Sequence, residues 1–159
     1  LLSGISGPAN AILGGWQLNG IVTMSKGQYQ TPTLNTDYLN IGSFGTSRPD
    51  IIGDYAAGRS LPYAYVNPAA FAKPATHVEG NAGRNSIESP GIDNWDLSLF
   101  KSLKIAEKYT TQVRFEAFNT FNHTQFGPPN LSFGSPNFGK IGSTLIDNRL
   151  FQIGLRFSF

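Results

Sequence analysis

Residues 148–159 read N-R-L-F-Q-I-G-L-R-F-S-F, the clearest structural signal in the chain. The apolar residues fall at every second position: Phe151, Ile153, Leu155, Phe157 and Phe159. A period of two directs successive side chains to opposite faces of a β-strand, so one face is wholly apolar and the other is polar or small. A barrel strand that crosses a membrane needs about 9–11 tilted residues with this alternation. The stretch therefore predicts a membrane-spanning strand.

Other segments alternate in the same way and extend the prediction to an all-β fold. Residues 16–25 alternate except for Ile21, and residues 95–103 and 111–117 follow the same pattern. Residues 28–34 predict a weaker strand, because Pro32 cannot donate to a ladder. Turn signals at 25–27 and 106–108 predict tight connections. The expected fold is an antiparallel meander of about five strands, the C-terminal part of a large transmembrane β-barrel with long outer loops.

The connections between these strands are expected to alternate in length. Residues 35–93 and 121–147 are irregular and rich in turn formers, and residues 68–71 predict a short helical turn. Short turns would then lie at one end of the sheet and long loops at the other. Trp16 and Trp95 are expected at the long-loop ends, and Tyr29 and Tyr109 beside the short turns. These four residues form a predicted aromatic girdle of the kind found at membrane interfaces.

Composition excludes several classes of function. Charged residues make up 14% of the chain, against about 25% in a typical soluble domain. The net charge is only +2 and the basic residues are scattered, so no nucleic-acid partner is expected. No cysteine is present, which excludes disulfides and thiolate chemistry. A soluble or surface-exposed β-sandwich that binds or supports another molecule is the alternative to a membrane barrel.

The number of strands bears on how the sheet could be completed. Five strands are too few to close a barrel, and each unpaired edge group in hydrocarbon costs several kcal/mol. Residue 1 is leucine, which leads us to expect a fragment or a processed product that lacks N-terminal strands. With an odd number of strands, closure by several copies would bring parallel edges together. If the true number of strands is even, several copies of the chain could close a barrel through antiparallel edges.

A series of motifs resembles the C-terminal end of TonB-dependent outer-membrane receptors, and the Oar-like group with a carboxypeptidase-regulatory-like domain in particular. The motifs are G-W-Q-L-N-G-I-V-T (15–23), G-N-A-G-R-N (80–85), P-G-I-D-N-W-D-L-S-L-F-K (90–101), R-F-E-A-F-N-T-F-N-H-T-Q-F-G (114–127), F-G-K-I (138–141) and G-L-R-F-S-F (154–159). The resemblance implies that residues 1–159 are the last part of a barrel of about 22 strands, without its plug domain. It also implies outer-membrane lipid as the surroundings, in a bacterium of Gram-negative type, and energised uptake through the TonB complex.

The terminal alternation also resembles the signal by which the outer-membrane assembly machinery recognises its clients. Phe151, Ile153, Leu155, Phe157 and Phe159 match that signal position by position. The physical basis would be strand addition, in which an extended apolar strand pairs with another sheet edge. The simpler interpretation is that these side chains only face lipid, and both interpretations can hold together.

No catalytic, cofactor or metal site is expected. His77 and His123 lack ligand spacing, and Asp93, Asn94 and Asp96 fit a capped turn better than a calcium site. Residues 80–85 predict a turn in which Arg84 anchors a loop or, as the lesser alternative, contacts a ligand. The remaining charged candidates share the polar strand face and are expected to pair in the lumen or with a plug: Arg114, Glu116 and Arg156. The loops are compatible with a neutral oligosaccharide or peptide as the solute.

Overall fold

The computed structural model describes residues 12–42, 47–106 and 109–159. Within them, one short 3-10 helix, Pro68–Ala70, accompanies ten strands. Four strands are long and six contain two residues each. In chain order they are β1 (Trp16–Ser25), β2 (Tyr29–Gln30), β3 (Thr33–Leu34), β4 (Asp50–Ile51), β5 (Phe71–Ala72), β6 (Ile87–Glu88), β7 (Ile92–Ala106), β8 (Tyr109–Phe118), β9 (Ser132–Phe133) and β10 (Leu150–Ser158).

The long strands form one sheet in the order β1-β7-β8-β10. β7 and β8 are antiparallel, with Leu97 opposite Ala117, and β10 is antiparallel to β8, with Ile153 opposite Phe115. β1 also runs antiparallel to β7, because Gly15 accepts a bond from the Ser102 N–H while Gly20 lies beside Leu97. The all-β, antiparallel prediction is confirmed, and both edges of the sheet are open within the described residues.

The predicted strand at 28–34 is wrong, so the sheet has four strands and not five. Residues 25–27 do not turn the chain back along β1. Instead β2 pairs with β6, and the Ser89 N–H donates to the Gln28 carbonyl over 2.9 Å. Gly27 permits this approach, since a Cβ there would overlap the Ser89 carbonyl oxygen. Pro32 lacks an N–H and separates β2 from β3, which ends any longer ladder.

In a four-stranded sheet, two of the four predicted girdle aromatics occupy positions other than the expected ones. The connections between the four long strands now run long, short, long. Trp16 therefore lies at the short-turn end of the sheet with Tyr109, whereas Trp95 lies toward the opposite end. Tyr29 lies outside the four-stranded sheet, in β2. The predicted end for Trp16 and the predicted place of Tyr29 are both wrong, because both depended on the false second strand.

Other boundaries differ by a few residues from the sequence prediction. β7 begins at Ile92 and not at Trp95, so Asp93, Asn94 and Asp96 lie within a strand and not in a turn. The helical turn is confirmed, with the Asn67 side chain accepting from the Ala69 N–H. Residues 1–11 lie outside the described residues, as do residues 107 and 108 of the predicted tight turn.

The chain divides into two compact units. The first comprises the described residues in 12–24, 93–124 and 146–159 and contains the long strands; the second, called here the loop unit, comprises the described residues in 25–92 and 125–145. The loop unit has its own core, in which Phe71 contacts Phe138 edge-on at 5.1 Å between ring centroids. The other buried core residues come from both long connections: Tyr65, Val66, Ala70, Ile87, Leu131 and Ile141. The segments predicted to be irregular loops thus pack into an ordered body.

Polar contacts brace the loop unit. The Arg48 guanidinium pairs with Glu79 at 2.7 Å and also donates to the Ala82 carbonyl. The Tyr65 hydroxyl donates to the Glu88 carbonyl at 2.8 Å, and burial raises the pKa of that hydroxyl. The negative charge of Glu88 raises the pKa of Tyr29. Both hydroxyls therefore keep their protons at neutral pH and act as donors.

Candidate functional site

One face of the four-stranded sheet is apolar and exposed. On β10 this face presents Phe151, Ile153, Leu155 and Phe157, and the register places Ala117, Phe115, Val113 and Thr111 beside them on β8. Ile153 and Leu155 are 76% and 74% exposed. A β-sandwich would cover such a face with a second sheet, and no other described residues cover these side chains. An exposed apolar surface of this extent marks a membrane or protein interface.

Aromatic side chains link β8 to β10 across this face. Tyr109 stacks on Phe157 with 5.9 Å between centroids, and Phe115 stacks on Phe151 at 5.6 Å. Phe159 is 95% exposed, and its ring lies 6.2 Å from that of Phe157. Cross-strand aromatic pairs add to the stability of a sheet by about 0.2–1 kcal/mol each. They therefore fix β10 against β8 without covering the apolar face. The assembly role of this strand stays a prediction.

The opposite face of the sheet is polar. Its side chains form rows across β7, β8 and β10: Ser98, Glu116 and Gln152; Phe100, Arg114 and Gly154; Ser102, Gln112 and Arg156. The Arg114 Nε donates to Gln112 Oε1 at 3.0 Å, and its guanidinium lies 5.2 Å from the Phe100 ring centroid. No ion pair joins Arg114, Glu116 and Arg156 to one another in the described part of the chain, and their expected pairing with a plug stays a prediction. Arg114 lies between Phe100 on β7 and Gly154 on β10, and Gly154 has no side chain that could obstruct it.

A lysine interrupts the apolar face near the short-turn end, and the sequence reasoning missed it. Lys101 is opposite Val113 and only 8% exposed. Its Nζ donates to the carbonyl oxygens of Ile12 and Gly14 and lies 4.9 Å from the Trp16 ring centroid. A buried ammonium is tolerated only when it is paired or hydrogen-bonded, and these contacts supply that. The sequence could have shown that Lys101 lies on the apolar face, since position 101 continues the alternate series of Leu97 and Leu99.

Asn119 organises the turn at the long-loop end of β8. This residue is buried and has a positive φ of 47°. Its N–H donates to Asp96 Oδ1 at 2.8 Å, and its side-chain amide donates to the carbonyls of His123 and Asp147. The His123 N–H donates back to Asn119 Oδ1 at 2.9 Å. One side chain thus connects the end of β8, the following turn and the segment that leads into β10.

The other predicted site residues are not brought together. Arg84 is exposed and makes no hydrogen bond or ion pair with another described residue, whereas Arg48 bonds to Glu79 and Ala82 and anchors this loop. Trp95 is half-buried and meets Phe121 edge-on at 5.7 Å. His77 and His123 belong to different units. Among the described residues, no group of three or more His, Cys, Asp or Glu side chains could hold a metal ion.

The loop unit contains a cleft of about 420 Å³, called here the loop cleft. Lys26, Gln28, Gln30 and Ser89 supply its polar lining, and the apolar lining comes from Pro90, Ile92, Phe126, Pro128 and Leu145. Ligand sites commonly have volumes of about 300–1,000 Å³, with a mainly apolar wall and a few polar groups. The loop cleft has this composition.

Comparison with known proteins bears on the apolar sheet face. A family model described as "Outer membrane beta barrel domain" matches residues 1–152. No curated protein and no solved structure matches the chain. Within the residues that the structure describes, no helix is long and apolar enough to cross a bilayer.

Proposed function

This chain belongs to the outer membrane beta barrel domain family and lies in the outer membrane; from that premise we propose that it forms the last strands of a TonB-dependent receptor of the Oar-like type. The receptor takes up a solute with energy supplied through the inner-membrane TonB complex. The motif series at residues 15–23, 90–101 and 114–127 supports the receptor type.

The alternation across the sheet is the observation that supports the proposal best. In a membrane barrel, side chains alternate between an apolar surface toward lipid and a polar surface toward the lumen. β10 follows this rule from Phe151 to Phe157, and β8 follows it from Thr111 to Ala117. The exposed apolar face is then covered by acyl chains. The rows around Arg114 and Glu116 line the interior.

Further strands complete the barrel. Four strands are too few to close, and open edges are costly in hydrocarbon. With four antiparallel strands, β1 and β10 run in opposite directions. Copies of the chain could therefore also pair edge to edge, an option that the odd count had disfavoured. We favour strands of the same polypeptide because the motif series resembles single-chain receptors. The apparent mass of the unheated barrel on a denaturing gel distinguishes the two.

The TonB part of the proposal is tested by direct binding. The receptor that contains this chain, purified in detergent, is expected to bind the periplasmic domain of the TonB protein from the same organism saturably. Absence of binding to a folded receptor would contradict TonB-dependent uptake and leave the outer-membrane barrel intact.

We propose further that the assembly machinery recognises β10 through its free edge and alternate apolar side chains. Replacing Phe159 with alanine is expected to slow insertion into vesicles that contain the assembly machinery by severalfold. Because this ring is 95% exposed, its loss removes little packing. Unassisted folding into plain lipid vesicles should therefore be unchanged. Equal slowing in both kinds of vesicle would show that Phe159 acts only through lipid contact.

A further inference from the structure

We propose that the loop cleft binds a small, uncharged, polyhydroxylated ligand of one or two sugar rings. The inference deepens the proposed function, since it assigns a recognition site and a substrate class to the receptor. It rests on that function only for the later uptake of the ligand, and binding itself can be measured separately. Three properties of the loop cleft support this ligand class: its rigid walls, its polar side chains and its charge.

The walls of the loop cleft are fixed by backbone contacts. Gly27 lies so close to the Ser89 and Pro90 carbonyls that no other residue fits there. Gly127 donates from its N–H to the Ser143 carbonyl at 2.9 Å, and the Leu145 N–H donates to the Gln125 carbonyl at 2.8 Å. Each lining segment is therefore hydrogen-bonded before any ligand arrives. A preformed site loses less conformational freedom on binding than a flexible one.

Two amide side chains line the same side of an extended segment. Gln28 and Gln30 both border the loop cleft, and residues two apart on a strand share a face. Tyr29 between them donates its hydroxyl to Glu88 at 3.3 Å. No hydrogen bond joins either glutamine side chain to another residue in the described ranges. Each amide offers two donors and one acceptor, which suits hydroxyl groups because a hydroxyl both donates and accepts.

The charge and the apolar wall narrow the ligand class. Among the described residues that line the loop cleft, Lys26 is the single charged one and no carboxylate is present; Lys26 is exposed, so its ammonium stays in water and does not call for a charged ligand. The lining therefore offers more donors than acceptors and favours a ligand rich in hydroxyl and ether oxygens. A peptide backbone, which brings as many N–H donors as carbonyls, fits this balance less well. Pro90, Phe126 and Pro128 provide carbon surface for the C–H face of a sugar ring.

The test is saturation-transfer NMR on the full receptor in detergent micelles. The probes are glucose, galactose, maltose and cellobiose, with trialanine as the peptide probe. At least one sugar is expected to receive saturation, and the double variant Gln28→Ala/Gln30→Ala is expected to weaken its binding at least tenfold. The matched control is Gln152→Ala, which removes an amide from β10 outside the loop cleft and should leave binding unchanged.

Three outcomes would overturn the proposal: no transfer to any of the four sugars, transfer that the double variant does not weaken, or transfer to trialanine that the double variant abolishes. Retained heat-modifiable mobility on gels shows that each variant is folded. A negative result in the NMR experiment leaves the TonB-dependent function standing, because that function is tested by TonB binding. Failure of TonB binding likewise leaves the sugar site open to confirmation.

Discussion

Replacing Ile153 with arginine is expected to lower the free energy of unfolding in lipid vesicles by about 2–4 kcal/mol, the usual cost of such a charge near the midplane on the lipid face of a barrel. Ile153 lies in the middle of β10, is 76% exposed and is opposite Phe115. An arginine here would have the apolar side chains of Phe115, Phe151 and Leu155 as its neighbours on this face. The measurement is reversible denaturant unfolding of the full barrel in vesicles.

The adjacent position supplies the matched control. Gln152 precedes Ile153 on the same strand and is directed to the polar face, opposite Glu116. An arginine at position 152 would meet that carboxylate, so we expect a change of less than about 1 kcal/mol, as for other exposed pairs. Equal costs at the two positions would show that the faces are not separated into lipid and lumen.

Replacing Asn119 with alanine is expected to destabilise the barrel by about 3 kcal/mol. The substitution removes three side-chain hydrogen bonds of 2.9–3.1 Å. The partners of Asn119 in His123 and Asp147 belong to exposed residues that water can reach, so each lost bond costs the net value of about 0.5–1.5 kcal/mol. Since Asp147 leads into β10, the last strand should lose its position against β8. Unfolding in vesicles and hydrogen exchange along β10 measure the effect.

A second variant at Asn119 separates side-chain bonding from backbone strain. The φ of 47° at this position is tolerated by asparagine and more easily by glycine than by alanine. Asn119→Gly therefore loses the same hydrogen bonds without added strain, and its cost should be within about 1 kcal/mol of the alanine cost. If the glycine variant is as stable as the original protein, the hydrogen-bond network is not what fixes the turn.

Alternation predicted the long strands correctly because the face of a sheet to which a side chain is directed is a local property of the chain. β8 and β10 lie where the period of two placed them, apart from a residue or two at the ends. The same rule failed at residues 28–34. Their pairing partners, β6 and β9, are distant in the sequence, and no local pattern indicates them. Because the positions predicted for Trp16 and Tyr29 depended on that false strand, both were wrong as well.

The loop unit could not be predicted for a similar reason. Its core forms between strands of two residues, which are too short to show a period. Phe71, for example, packs against Phe133 and Phe138 from the other long connection. Arg84 and Arg48 are equally plausible anchors in the sequence, and only the folded position of Glu79 distinguishes them. The loop cleft follows from the same long-range packing.

The separation of the two sheet faces is tested most directly by spin labels at neighbouring positions of β10. The chain has no cysteine, so Ile153→Cys and Gln152→Cys can be labelled one at a time in the full barrel reconstituted in lipid bilayers. Power saturation compares collisions with oxygen, which concentrates in the bilayer, and with a water-soluble nickel chelate. A label at 153 is expected to respond to oxygen and not to nickel, and a label at 152 should show less response to oxygen and more to nickel. Strong nickel access at 153, equal to that at 152, would contradict a lipid-facing β10.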